Sequence, residues 1–134
     1  NLLINQFKKL KNQQLIRIEK SNYYFKNLKH IKEITFPQDD FSTKNLFIDF
    51  PVLINEKQKK IDLCNYFLSK NLDIKDYYYS NCGANELYKR YVFTNTINSN
   101  EISNKIIMLP VAEKITKKYQ DYIIENIIHF FKYN

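Results

Sequence analysis

The segment TKKYQDYIIENIIHFFKY, residues 116–133, constrains the fold of this chain more than any other stretch. Tyr119, Ile123, Ile127 and Phe130 recur at steps of three or four, with Phe131 beside them. That period places all five on one side of an α-helix. Thr116 stands where an N-cap hydroxyl accepts from the otherwise unpaired N–H groups of the first turn. An apolar stripe of this width must be covered, so the rest of the chain has to supply a second layer.

The sequence offers material for that layer. Residues 2–32 carry Leu3, Phe7, Leu10, Leu15, Ile18 and Leu28 at spacings of three to five, which predicts one or two amphipathic helices. Pro37 and the Asp39-Asp40 pair then mark a turn. LFIDFPVLI, residues 46–54, is β-branched and aromatic and reads as a strand; Pro51 cannot donate to a ladder and is expected at an edge or a bulge. EKQKKIDLCNYFLSKN predicts a helix with Ile61, Cys64, Phe67 and Leu68 on one face, ending near Asn71, which tolerates a left-handed cap. LDIKDYYYS, residues 72–80, reads as a further strand, and 81–100 as a polar loop holding the single glycine, Gly83, with a short helical turn at ANELYKRY. NEISNKIIMLP predicts a short helix or turn running into a strand that Pro110 ends.

The fold class that follows is α/β (α+β): a two-layer sandwich in which helices pack on a small, mainly antiparallel sheet. With 134 residues, no linker and no internal repeat, residues 1–134 form one domain.

Several function classes lack their residues. No run of about 18 apolar residues exists to span a membrane. Cys64 and Cys82 form no metal-binding pair with His30 or His129, and no metal site is expected; the two thiols read as free in a reducing cytosol. Asp39-Asp40 reads as a solvated turn, and no nucleophile stands at a useful spacing from a base. The net charge of +7 invites a nucleic-acid partner, but Arg17 and Arg90 are the only arginines. Bidentate recognition of phosphate favours arginine. Lys8, Lys9, Lys11, Lys20, Lys26, Lys29 and Lys32 instead read as the solvent face of a helix.

Four stretches, in order, resemble the C-terminal small domain of the DegT/DnrJ/EryC1/StrS family of nucleotide-sugar aminotransferases. INQFKKLKNQQLIRIEKSNYYFKNL is similar to the family's long helix, with Gln6, Phe7, Arg17, Tyr24 and Leu28 in its characteristic places. FIDFPVLI is similar to its phenylalanine-proline strand, LDIKDYYYS to its Gly-Ile-Asp/Glu-Thr-Arg strand with an aromatic run, and IIMLPVAEKITKKYQDYIIENI to its closing Leu-Pro segment and helix. Asn71 stands for the usual glycine, Lys75 for arginine and Ser80 for proline.

The resemblance implies the small domain of an aspartate-aminotransferase-fold enzyme. It implies pyridoxal phosphate as cofactor of the full-length parent, glutamate and a nucleotide-linked keto-sugar as substrates, a homodimer, and a cytoplasmic role in polysaccharide or glycoconjugate synthesis. The Schiff-base lysine of the family lies in a large domain upstream, so no catalytic residue and no bound cofactor are expected in these 134 residues. If 72–80 is a strand, Lys75, Tyr77 and Tyr79 share one face and Tyr78 takes the other. Two readings of that face stay open. The phenols pack with their hydroxyls toward solvent, or Tyr77 and Tyr79 stack on substrate while Lys75 offers a point charge. The alternative function is a binding module for single-stranded nucleic acid, with tyrosines as stacking platforms and lysines as the groove. A bare interaction domain is the third.

Overall fold

A computed structural model describes residues 2–37, 47–72, 74–76, 81–91, 94 and 96–133; within the first helix, the side chains of Leu2, Leu3, Asn5 and Gln6 are not described. The chain order is α1 (Leu2–Leu28), β1 (Ile34–Thr35), β2 (Asp49–Ile54), α2 (Lys57–Ser69), two short 3-10 turns (Cys82–Ala84 and Lys89–Tyr91), α3 (Ile97–Lys105), β3 (Ile106–Pro110) and α4 (Lys117–Tyr133). The strands form an antiparallel sheet of order β1-β2-β3. One face of it carries α1, α2 and α4, as the α+β sandwich requires.

Strand alternation builds the core. Phe50, Val52 and Ile54 of β2 and Ile107 and Leu109 of β3 are fully buried, and they meet Tyr24 and Leu28 of α1, Leu63 and Phe67 of α2, and Ile123, Ile127 and Phe130 of α4. The stripe expected in α4 is therefore the buried one, with Tyr119 and Phe131 at its margins, and Thr116 Oγ1 accepts from Tyr119 N at 3.2 Å as its cap.

Three expectations are corrected. First, β2 is the central strand of three, yet it contains Pro51. Met108 N donates to Lys75 O at 2.9 Å, away from β2, so the Pro51–Met108 pairing is a non-hydrogen-bonded one. The nitrogen of Pro51 thus faces the β1 side, where β1 pairs only with Leu53 and Ile54. A central strand is locally an edge at that residue.

Second, α2 buries Lys60, Leu63 and Phe67, whereas Ile61 and Leu68 are exposed and Cys64 is half-buried. A lysine belongs to the inner stripe because it has a carboxylate to meet. Third, α1 is one helix of 27 residues whose first half is not packed: Phe7, Leu10 and Leu15 are exposed, and the helix enters the core only from Ser21 onward. Lys20, expected on the solvent face, instead donates to the carbonyls of Ala112, Glu113 and Ile115 at 2.7, 2.9 and 2.6 Å. Those three acceptors tie the β3–α4 connection to α1.

The junction after α2 is closed by a left-handed residue. Asn71 has φ 55°, Asn71 N donates to Leu68 O at 3.1 Å and Leu72 N to Phe67 O at 2.9 Å. This is the paired-bond motif that ends helices at glycine or asparagine, with the apolar contact between Leu72 and Phe67 sealing it. It turns the chain straight back along the sheet, toward Lys75.

Candidate functional site

From Asn71 the chain runs outside β3. Leu72 and Ile74 point into the core, and Lys75 makes a single antiparallel bridge to Met108. Of the strand expected over 72–80, this bridge is the described part; Tyr77, Tyr78, Tyr79 and Ser80 lie outside the described residues, as do Asp39 and Asp40. Lys75 is therefore the sequence-predicted site residue that the structure places.

Alternation sends residues 75 and 76 to opposite faces, and each meets an opposite charge. On the helix face, Asp76 receives Lys60 Nζ, at 3.2 Å to its carbonyl and 3.3 Å to Oδ2. On the other face, Lys75 Nζ reaches across β3 to Asp49 Oδ2 on β2, at 2.7 Å. Lateral strand spacing of about 4.8 Å means that this contact crosses roughly 10 Å of sheet, which only a long side chain manages. Asp49 stands opposite Pro110 in the β2–β3 register, and the Arg17 guanidinium holds the two carbonyls before it, donating to Phe47 O and Ile48 O at 3.3 and 2.5 Å. Two ion pairs, Lys75–Asp49 and Lys60–Asp76, thus flank the bridge residue from opposite faces, and Arg17 of α1 holds the two carbonyls that precede Asp49.

Asp49, Lys60 and Asp76 were missed by sequence reasoning. The one available signal was Lys60 itself, which stands three residues before Leu63 and seven before Phe67 on the buried stripe. A lysine in that register needs an anion inside. Burial also pushes the Cys64 thiol, one turn beyond Lys60, up to about 12. Among the described residues no group of three or more His, Cys, Asp and Glu side chains could hold a metal ion.

A groove of about 540 Å³ lies elsewhere, between α1 and the start of α4. Leu15 and Ile18 form its apolar wall, and Tyr23, Lys26 and Lys117 its polar one. Tyr23 donates to Asp121 Oδ1 at 2.6 Å, which raises its phenol above the usual range, and the Lys117 ammonium stands 5.2 Å from the Tyr23 ring centre. These groups serve each other and stand apart from the Lys75 face.

The sequence matches the DegT/DnrJ/EryC1/StrS aminotransferase family over residues 1–128. The chain belongs to that family. Among solved structures, a DegT/DnrJ/EryC1/StrS aminotransferase from Brucella abortus superimposes with a TM-score of 0.82 at 17% identity, covering 96% of this chain and 34% of its own. DesV of S. venezuelae, solved in complex with a ketimine intermediate, gives 0.82 at 12%, covering 99% and 36%. NtdA of Bacillus subtilis, solved with bound cofactor PMP, gives 0.77 at 16%, covering 90% and 28%. These likenesses show an aminotransferase-type fold, and the chain spans about a third of the solved structures it matches. No curated protein sequence matches the chain. Among the described residues, no helix is long and apolar enough to cross a membrane.

Proposed function

We propose that this chain is the C-terminal small domain of a longer pyridoxal-phosphate-dependent aminotransferase. The parent takes an amino group from glutamate and places it on the keto carbon of a nucleotide-linked sugar. It works as a cytoplasmic homodimer in polysaccharide or glycoconjugate synthesis. The observation that carries this reading is the family match across residues 1–128. Support comes from neighbours such as CalS13 of Micromonospora echinospora, a sugar aminotransferase, and PseC of Helicobacter pylori, an aminotransferase in pseudoaminic acid biosynthesis.

Pyridoxal phosphate, when bound in such an enzyme, carries the amino group between donor and acceptor. The two inward-facing lysines among the described residues do not fit the role of its anchor. Lys60, the one buried lysine among the described residues, is paired with Asp76, and Lys20 is committed to three carbonyls. No step through the cofactor is assigned to this chain. Its part is to build one wall of the substrate cleft, with Lys75 as a point charge for phosphate or carboxylate and Tyr77 and Tyr79 as stacking surfaces for sugar or base.

The test is glutamate-dependent release of 2-oxoglutarate by the full-length parent with nucleotide-linked keto-sugars. A parent that transfers no amino group to any of them overturns the reading. So does covalent capture of pyridoxal phosphate by a lysine of the isolated 134 residues.

A further inference from the structure

The Lys75–Asp49 pair is asymmetric. The lysine side chain is 51% exposed and the aspartate side chain 11%. The aspartate side chain is covered, and about half of the lysine side chain meets solvent. An ion pair with a half-exposed lysine adds little to stability, so strength alone does not account for so much fixing. What the contacts do achieve is orientation. Asp49 stands in the ladder of the central strand, and the two carbonyls just before it are gripped by Arg17. On the opposite face, the Lys60–Asp76 pair immobilises the neighbouring residue, and Met108 N holds the Lys75 carbonyl at 2.9 Å. A lysine side chain has many rotamers, and a fixed acceptor restricts them before any ligand arrives.

We propose that Asp49 is a positioning residue: it holds the Lys75 ammonium in place as a preformed contact for the phosphate groups of a nucleotide-linked substrate. This rests on the proposed function, in which Lys75 faces substrate. The cost of fixing the lysine is met on folding, so the bound phosphate gains a charge-assisted hydrogen bond without paying that entropy again. Lys75 stands where the family resemblance places an arginine, whose planar fork is stiffer; a lysine there has more need of a carboxylate that orients it.

The experiment uses the full-length parent and four variants, Asp49→Asn, Asp49→Glu, Lys75→Met and the Asp49→Asn/Lys75→Met double variant. Dissociation constants for uridine and thymidine diphosphate are measured by titration calorimetry, that for glutamate by the change in visible absorbance, with thermal midpoints alongside. Asp49→Asn is expected to weaken binding of the tighter nucleotide about five- to tenfold, the scale of one well-aligned charge-assisted bond, and to leave glutamate unaffected. Asp49→Glu should restore most of the loss, and the double variant should bind no worse than Lys75→Met. If Lys75→Met weakens the nucleotide but Asp49→Asn leaves it unchanged or tightens it, the positioning role is wrong while Lys75 remains a substrate contact. If Lys75→Met has no effect, or neither nucleotide binds the unaltered parent, the substrate reading of Lys75 falls and the inference with it. Equal loss of nucleotide and glutamate binding with a lowered midpoint, unrelieved by Asp49→Glu, would reduce Asp49 to a structural residue.

Discussion

Replacing Asn71 by glycine should stabilise the protein, and the size of the effect can be worked from the turn after α2. At φ 55° an L-residue brings its Cβ against the backbone, at about 1–2 kcal/mol for an ordinary side chain. Asparagine carries less of this because its short polar side chain bonds locally. Glycine carries none, but it loses more freedom on folding, which takes back roughly 0.5 kcal/mol or more. Both bonds of the motif, Asn71 N to Leu68 O and Leu72 N to Phe67 O, are backbone bonds and survive the change. The net expectation for Asn71→Gly is a gain of about 0.5–1 kcal/mol. Asn71→Ala should lose about the same, since alanine tolerates the left-handed region less well than asparagine. On a domain of this size 1 kcal/mol moves the thermal midpoint by about 3–5 °C. The chain has no tryptophan, so far-UV circular dichroism under heat and urea is the assay. A glycine variant no more stable than the parent sequence, together with an alanine variant that loses nothing, would refute the left-handed closure of α2. The turn toward Lys75 would then lose its physical cause.

Two further outcomes follow from buried acids. Tyr24 is fully buried and donates to Pro110 O at 3.2 Å, and burial raises its phenol well above 10.0. Its folded pKa lies above the unfolded one, so its contribution is intact below about pH 10 and is lost as pH climbs toward the folded value. Stability measured by urea unfolding should fall above pH 10, and Tyr24→Phe should flatten that fall while costing about 1 kcal/mol at pH 7; an unchanged alkaline slope in the variant contradicts it. For cysteine, a disulfide-exchange reagent at pH 8 should label exposed Cys82 quickly and leave Cys64, raised to about 12, unmodified until denaturant is added. Two equally fast thiols in the folded protein would contradict the burial of α2.

The readable parts of the fold were those whose information is local. The α4 stripe, its Thr116 cap, the left-handed Asn71 and the α3-to-β3 passage all depend on residues within a few positions of one another. Hydrophobic period and turn chemistry report such features directly. The two-residue β1 was not legible, because Ile34 and Thr35 carry no pattern of their own and become a strand only by lying beside Leu53 and Ile54. The first half of α1 misled for a related reason. Phe7, Leu10 and Leu15 have helical spacing, but spacing does not say which of a helix's faces this part of the molecule covers. Of the candidate site, the motif order pointed to Lys75, and none of its three supporting residues was visible. Asp49 lies 26 positions away and Lys60 binds Asp76 from 16 positions away, distances at which sequence carries no trace of a charge pair.

The sequence alone determined the helices α1, α2 and α4, the extended β2 and β3, where α2 must stop, and to which family the ordered motifs point. Those properties are set by side-chain periodicity and by the backbone preferences of single residues. Only the tertiary structure decided that Pro51 sits in a central strand, that Lys20 and Lys60 face inward, and that Lys75 is gripped from across a neighbouring strand. The reason is the same in each case: whether a polar group is tolerable depends on the partner that meets it, and packing, which the linear order does not encode, chooses that partner.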